Sequence, residues 1–382
     1  MHRLRITPDT VGPIARGHPW VYADGLAEAR PPVGTPVQLR DPRGRPIGFG
    51  LSDEGNVAVR VLGRHPEPVH KLLARRIPLA AERRLRMLPP DTDAWRVVHG
   101  AGDGLPGLVV DRYGPLAVVR LYGACWERHL PDIVAAVSGL PGITQVVRRL
   151  GVRRVDASKG LTCLHGPTPP DTLVVKEAGL RFIVRPAAGQ KTGLFIDQRE
   201  HRIRVGRCAR DADVINLFAY TGGFSVHAAA AGARRVTTVD IAPDAIADAR
   251  ENFRLNGFDV DKHRFVTTDA FSWAPDAPAD LVVCDPPNLS PGKKSDGKAR
   301  TAYRDLAQRS GEMVAPNGIL ATASCTARLS RSRWEEAVAD GLRRCGRWAW
   351  LWRADEPPDH PVAHAHPEGR YLKFALTARI PS

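Results

Sequence analysis

Past about residue 190 the chain alternates short apolar runs with helical patterns, and no other feature narrows its fold as far. VINLF, VTTVD, HRFVTT, DLVVCD and GILATAS are runs of strand length, with the helices FSVHAAAAGA and APDAIADARENFRLNG between the first three. The second helix has a proline near its start and a glycine past its end, the usual punctuation of a helix. Strands that are apolar along their length, rather than at every second residue, are buried on both faces. Separated by helices, they imply a parallel α/β sheet with helices on either side. In such a sheet ligands bind at the carboxyl ends of the strands, so the residues just after each run are the first place to look for chemistry.

Those residues form a set. The first strand runs through Asn216 and Phe218 to Tyr220, Thr221, Gly222 and Gly223, after which a helix begins. Missing Cβ atoms let backbone approach a ligand closely, and a helix N-terminus supplies unpaired N–H donors. Tight packing alone can produce a strand, glycine, helix turn, and the strict GxGxxG spacing is absent. The second strand ends at Asp240, followed by Ile241, where doubly wound folds place a carboxylate for ribose hydroxyls. Asp269 and Ala270 follow the third run, at a position suited to an adenine amino group. The fourth runs into Asp285, Pro286, Pro287 and Asn288, and the fifth into Cys325. Each aspartate alone would read as a helix cap or a solvated turn. Together they read as one ligand-binding edge.

At 382 residues the chain exceeds what one hydrophobic core usually serves, so it divides into domains. Residues 1–68 hold short alternating runs such as TPVQLR and VAVRVL between turn clusters, a small β-rich module. Residues 69–185 read as a central α+β domain, and 186–382 as the α/β domain. Lys and Arg exceed Asp and Glu by 55 to 41, a formal charge of +14, which favours a polyanionic partner such as nucleic acid. No apolar run reaches the ~20 residues that span a bilayer, and MHRLRITPDT lacks the pattern of a secretory signal, which points to the cytoplasm and away from a membrane. The six cysteines stand at 125, 163, 208, 284, 325 and 345, with no CxxC pair, so neither a metal site nor disulfides are expected. All but Cys325 read as small buried hydrophobes.

Cys325 is different because of its neighbours. If the ligand at this edge were a methyl sulfonium donor and the acceptor a pyrimidine, C5 would be too weak a nucleophile to attack directly, and thiolate addition to C6 would make it enamine-like. That chemistry needs a cysteine beside a carboxylate able to hold the N3 and N4 edge of cytosine, and Asp285 follows the neighbouring strand. A DPP motif followed by an aromatic ring would suggest methylation of an exocyclic amine, but Asn288 stands there.

The set from NLFAYTGGF to CDPPN resembles the Rossmann-like class I methyltransferases that use S-adenosylmethionine. With AGQKTGLFIDQREHR at 188–202, ATASCT, and DHPVAHAHPEGRYLK at 359–373, the chain resembles the bacterial large-subunit (23S) rRNA cytosine-C5 methyltransferases with an N-terminal PUA domain. ARGHPWVYADGL at 15–26 and GAGDGLPGLVVDRYG at 100–114 extend the likeness through the N-terminal part. The resemblance implies a seven-stranded, mostly parallel methyltransferase sheet, preceded by a small β-barrel PUA domain and a central α+β domain. It implies Cys325 as nucleophile with Asp285 as its catalytic partner. Asn216, Phe218, Tyr220, Thr221, Gly222, Gly223, Asp240, Ile241, Asp269, Ala270 and Asp285 would hold the cofactor. Lys191, Phe195, Asp197, Gln198, Arg199, Pro286, Pro287 and Asn288 would line the cleft. Related enzymes outside the family place a second cysteine directly after the Pro-Pro, where this chain has Asn288, so the base for the C5 proton is not identified.

Ribosomal RNA of the large subunit, or of its assembly intermediate, is the implied partner, and a homodimer is compatible with it. Two other readings fit the same residues: an rRNA-binding assembly factor that keeps a methyltransferase fold, or a methyltransferase acting on another base or an amine. PGKKSDGKAR, 291–300, reads as a phosphate clamp or as a plain solvated loop. RWAWLWR, 347–353, is apolar on both alternating faces, which fits a strand buried on both sides rather than a base-stacking platform.

Overall fold

The computed structural model describes residues 1–151, 160–187, 189, 193–289 and 296–381. Contacts group them into two compact units. One takes in Met1–Lys176, Val184–Ile196 and Pro358–Gly369, the other Glu177–Ile183, Asp197–Pro357 and Arg370–Ser382.

The first unit holds two five-stranded sheets. In the N-terminal one, His2–Arg5 pairs in parallel with Pro36–Arg40, and the remaining pairings are antiparallel. Its alternating runs bury one face, with Leu4, Ile6, Val21, Val37, Leu39 and Val59 forming the core. The second sheet runs from Ala94–His99 to Gly160–His165, and helices Val69–Leu85 and Leu130–Ser138 contribute to a core that also includes Phe49, Leu51 and Leu62 of the first sheet. The GAGDGLPGLVVDRYG run belongs here, and its two aspartates are structural. Asp103 receives a fork of two 2.7 Å bonds from the buried Arg84, and Asp111 receives Arg96 at 2.7 and 3.2 Å. Cys125 is buried in this core, but Cys163 is exposed on strand Gly160–His165, so the expectation of a buried Cys163 fails. The strand is the edge of its sheet and is largely exposed along its length.

The second unit carries a seven-stranded sheet. Its order is Arg264–Thr267, Arg235–Asp240, Asp213–Leu217, Ala279–Cys284, Val314–Ser324, Lys373–Ile380, Arg347–Ala354. The first five strands are parallel, and Lys373–Ile380 is antiparallel to both its neighbours. Strand order reverses between Asp213–Leu217 and Ala279–Cys284, which opens a crevice at their carboxyl ends. Helices Gly223–Ala230, Pro243–Leu255, Asp296–Glu312 and Arg331–Leu342 accompany the sheet.

The tryptophan strand is a correction. Arg347–Ala354 is the edge of the sheet, with Leu351 53% exposed, and is not covered on both sides. A bulge between Trp350 and Trp352 breaks the period of two. Trp348 and Trp350 pack on the core that holds Trp334 and Leu342, whereas Trp352 meets Phe374 at 5.9 Å and the Arg204 guanidinium at 4.9 Å.

Beneath the glycine-loop helix, Glu177 accepts from Arg202 Nε at 2.7 Å, Arg202 Nη2 at 2.5 Å and His227 Nε2 at 3.0 Å, all fully or nearly buried. Burial alone would raise the Glu177 pKa, but the Arg202 and His227 partners outweigh it and hold the carboxyl at about 2. The stabilisation is therefore complete above the unfolded carboxyl range and is lost as pH falls through about 2. Glu177→Gln removes the carboxylate that pairs with the buried Arg202 and is expected to cost about 3–5 kcal/mol in urea unfolding at pH 7. The cost should shrink as the pH of the titration drops from neutral toward 3.

Candidate active site

Strand Asp213–Leu217 ends in a loop whose backbone is unusual. Phe218 and Tyr220 have φ of 56° and 50°, and Gly222 has 76°. Left-handed conformation at two non-glycine residues is costly, and it persists only where the surroundings fix it. Here Tyr220 N donates to Asp240 Oδ2 at 2.7 Å, Ala219 N to the Val239 carbonyl at 3.0 Å, and Asn252 Nδ2 to the Thr221 carbonyl at 2.8 Å. Asp240 thus anchors the loop with one oxygen and takes Ala242 N at 2.9 Å with the other. Gly222 caps the helix Gly223–Ala230, and a Cβ there would come within 3.0 Å of Ala249 Cβ.

This loop fits an adenosyl group by its chemistry. Asn216 Oδ1 and Thr221 Oγ1 are buried with no protein hydrogen-bond partner, although Asn216 Nδ2 is held by Ser225 at 2.9 Å. Ile241 and Phe271 are 68% and 41% exposed at the ends of adjacent strands, apolar surfaces suited to a flat heterocycle. Phe271 meets Phe218 edge-on at 4.9 Å. Asp269 accepts from Phe271 N at 2.9 Å and is exposed, and Ala270 beside it is buried.

Across the switch point, Ala279–Cys284 and Val314–Ser324 run in parallel with Cys284 opposite Thr322. That register delivers Asp285 and Cys325, both half-buried, to the same end of neighbouring strands. Burial pushes the Tyr303 phenol up against the lowering effect of its Ser324 bond, and the Cys325 and Asp285 charges add to the rise. Its hydroxyl is 2.9 Å from Ser324 Oγ. Cys284, one residue before Asp285, faces the core, and burial lifts its thiol to about 12, as its place inside the apolar run predicts.

A polar chain fixes Asp285. Gln198 Nε2 donates to Asp285 Oδ2 at 2.9 Å, and Gln198 Oε1 lies 2.5 Å from His201 Nδ1. His201 Nε2 faces the Asp355 carbonyl at 3.1 Å. Burial pushes the His201 pKa down to about 3, so its ring is neutral at neutral pH. Asp197 accepts from the Tyr371 hydroxyl at 2.7 Å, and Arg199 is buried, with Glu200 Oε1 3.3 Å from its Nε. Phe195 is half-buried, Pro286 buried, and Pro287 and Asn288 exposed. Lys191 lies outside the described residues, as do residues 291–295 of the basic run PGKKSDGKAR.

His201, Tyr303, Tyr371 and Lys373 are part of this site but carry no motif of their own. Lys373 and Tyr371 stand in the quoted GRYLK run, but only the antiparallel pairing of Lys373 with Ser324 shows what they face. Among the described residues no group of three or more His, Cys, Asp or Glu side chains is arranged to hold a metal, and no helix is long and apolar enough to cross a membrane.

Residues 145–369 match the S-adenosylmethionine-dependent methyltransferase family, and residues 4–64 the PUA-like domain family. A Deinococcus radiodurans protein named ribosomal RNA large subunit methyltransferase is 38% identical, covering 97% of this chain and 96% of its own length. Ribosomal RNA large subunit methyltransferase I of Alteromonas mediterranea is 34% identical, covering 94% of each. In fold, the chain is similar to a solved methyltransferase complexed with SAH, at a TM-score of 0.87 and 22% identity over 99% of this chain and 100% of that one.

The loop geometry gives a direct test. Gly222→Val places a β-branched side chain at φ of 76° against Ala249 and should destabilise the protein by about 2 kcal/mol or more by urea unfolding. Gly232→Ala, also at positive φ but with open space around it, should cost only the backbone term of about 1–2 kcal/mol.

Proposed function

This chain belongs to the large-subunit ribosomal RNA methyltransferases, S-adenosylmethionine-dependent enzymes with a PUA-like N-terminal domain, and we propose that it forms 5-methylcytosine through a covalent adduct on Cys325. The observation that carries this reading is the parallel register that brings Cys325 and Asp285 to one edge of the sheet.

In the proposed cleft Asn216, Phe218, Tyr220, Thr221, Gly222, Gly223, Asp240, Ile241, Asp269 and Ala270 hold the cofactor. Asp240 would accept from the ribose hydroxyls, and the exposed Ile241 and Phe271 would flank the adenine. S-adenosylmethionine, when bound, supplies an electrophilic methyl carbon that passes to C5 as its bond to the sulfonium breaks. The Cys325 thiolate adds to C6, and the C5=C6 π electrons shift toward C4 and N3. Asp285, oriented by Gln198, holds the N3 and N4 edge and favours the protonated ring that accepts the addition. When a base removes the C5 proton, the C5–H electrons restore C5=C6 and the thiolate leaves. To present C5, the cytosine must be unstacked from its RNA. The PUA-like domain at 1–68 and the central domain at 69–185 then serve RNA binding, and in the methyltransferase domain at 186–382 Arg199 and the 286–288 turn shape the cleft.

RNA in which the target cytosine carries fluorine at C5 separates this route from its alternatives, because fluorine cannot leave as a proton does. Such RNA should form a denaturation-resistant protein adduct with the wild type and none with Cys325→Ala, whose cofactor affinity by calorimetry should stay within about twofold. Cys325→Ala should also lower methyl transfer by 10³-fold or more. Intact methylation in that variant, or label mapped to a guanine or an exocyclic amine, overturns the assignment. Absence of cofactor binding to the wild type would favour an assembly factor.

A further inference from the structure

Lys373 is a buried lysine beside the thiol that the mechanism above does not use. It begins its strand with its Cα opposite Ser324, and its Nζ donates to the carbonyl of Thr326 and, at 3.3 Å, to that of Tyr371. Cys325 stands between the residue Lys373 pairs with and the residue its ammonium bonds. The side chain therefore runs under the backbone that carries the thiol. Only 5% of Lys373 is exposed, and no carboxylate lies within ion-pairing distance of it among the described residues. The acids nearby are engaged elsewhere: Glu356 takes Tyr371 N and Leu372 N at 2.5 and 2.8 Å, Asp355 takes Arg331, and Asp197 takes the Tyr371 hydroxyl. An ammonium buried with only carbonyl partners is costly unless an anion is near.

We propose that Lys373 is a positioning residue for the nucleophile: its ammonium pins the Cys325–Thr326 turn and holds the Cys325 sulfur as a thiolate. The proposal rests on the reading of Cys325 as the nucleophile. The thiol proton goes to solvent, because the lysine is already an ammonium. Burial pushes Lys373 down to about 8, opposed chiefly by Glu356 and reinforced by Arg331, while the Cys325 and Asp355 charges also hold it up. The attraction is mutual, so an ammonium held up by the thiolate draws the thiol down. Burial pushes the Tyr303 phenol up against its Ser324 bond, and the Cys325 and Asp285 charges add to the rise, so it stays a neutral phenol that adds no competing charge. An ammonium tied to two carbonyls has no lone pair at neutral pH, which also removes Lys373 as the base for the C5 proton.

The test is iodoacetamide alkylation of the full chain across pH, without RNA or cofactor, read by mass spectrometry on the Cys325 peptide with the exposed Cys163 peptide as reference. Lys373→Met and Lys373→Gln should raise the Cys325 alkylation midpoint by about 1–2 pH units and slow alkylation at pH 7 roughly tenfold, and Lys373→Arg should restore most of it. The Cys163 profile should not move. A Cys325 midpoint equal to wild type in either folded neutral variant overturns the proposal. The adduct assay with 5-fluorocytosine RNA reports separately: a shifted midpoint with no adduct in the wild type sinks the nucleophile reading and leaves the ammonium–thiolate pairing standing.

Discussion

The site depends on the pairing of Ala279–Cys284 with Val314–Ser324. Their parallel register sets Cys284 against Thr322, and each strand then releases its reactive residue, Asp285 or Cys325, at the same edge. Because side chains alternate faces along a strand, a slip of one residue would move Val282 and Leu320 to the opposite, differently packed face of the sheet and turn the reactive pair away. Both residues are buried, at 0% exposure, so the hydrophobic core itself enforces the register. The antiparallel strand Lys373–Ile380 extends the same logic, setting Lys373 against Ser324.

Polar groups then refine what the register places. Gln198 fixes Asp285, and His201, kept neutral by burial, fixes Gln198. On the cofactor side Asp240 does double work, since one of its oxygens holds the left-handed Tyr220 in place. The loop strain is thus offset by hydrogen bonds from the next strand over, and loop and carboxylate are fixed relative to each other. Two edges of one crevice are built in this way, by backbone geometry on one side and by side-chain bonds on the other.

Much of this was legible in the residues. The strand ends at Asp240, Asp285 and Cys325 could be read from apolar runs that stop at a polar residue, and the sheet type from runs apolar throughout. The burial of Cys284 followed from its place inside such a run. Other features were not legible. The exposure of Cys163 depends on what covers its strand, which lies elsewhere in the chain. The three tryptophans at period two suggested one face of a buried strand, and a bulge that no composition reveals divided them between two faces of an edge strand. The GAGDGLPGLVVDRYG run extended the family likeness without saying what its aspartates do, and they hold Arg84 and Arg96 in a buried scaffold.

The sequence by itself determined the alternation of strands and helices, the family, and the residues standing at the strand ends, because these follow from local periodicity and from motifs a few residues long. Tertiary structure decided which strand ends are neighbours, that Gln198 and His201 stand behind Asp285, and that Lys373 runs beneath Cys325 from 48 positions later in the chain. Such long-range placement is fixed by strand order and register, which arise from burying many apolar side chains at once. No short stretch of chain carries that information.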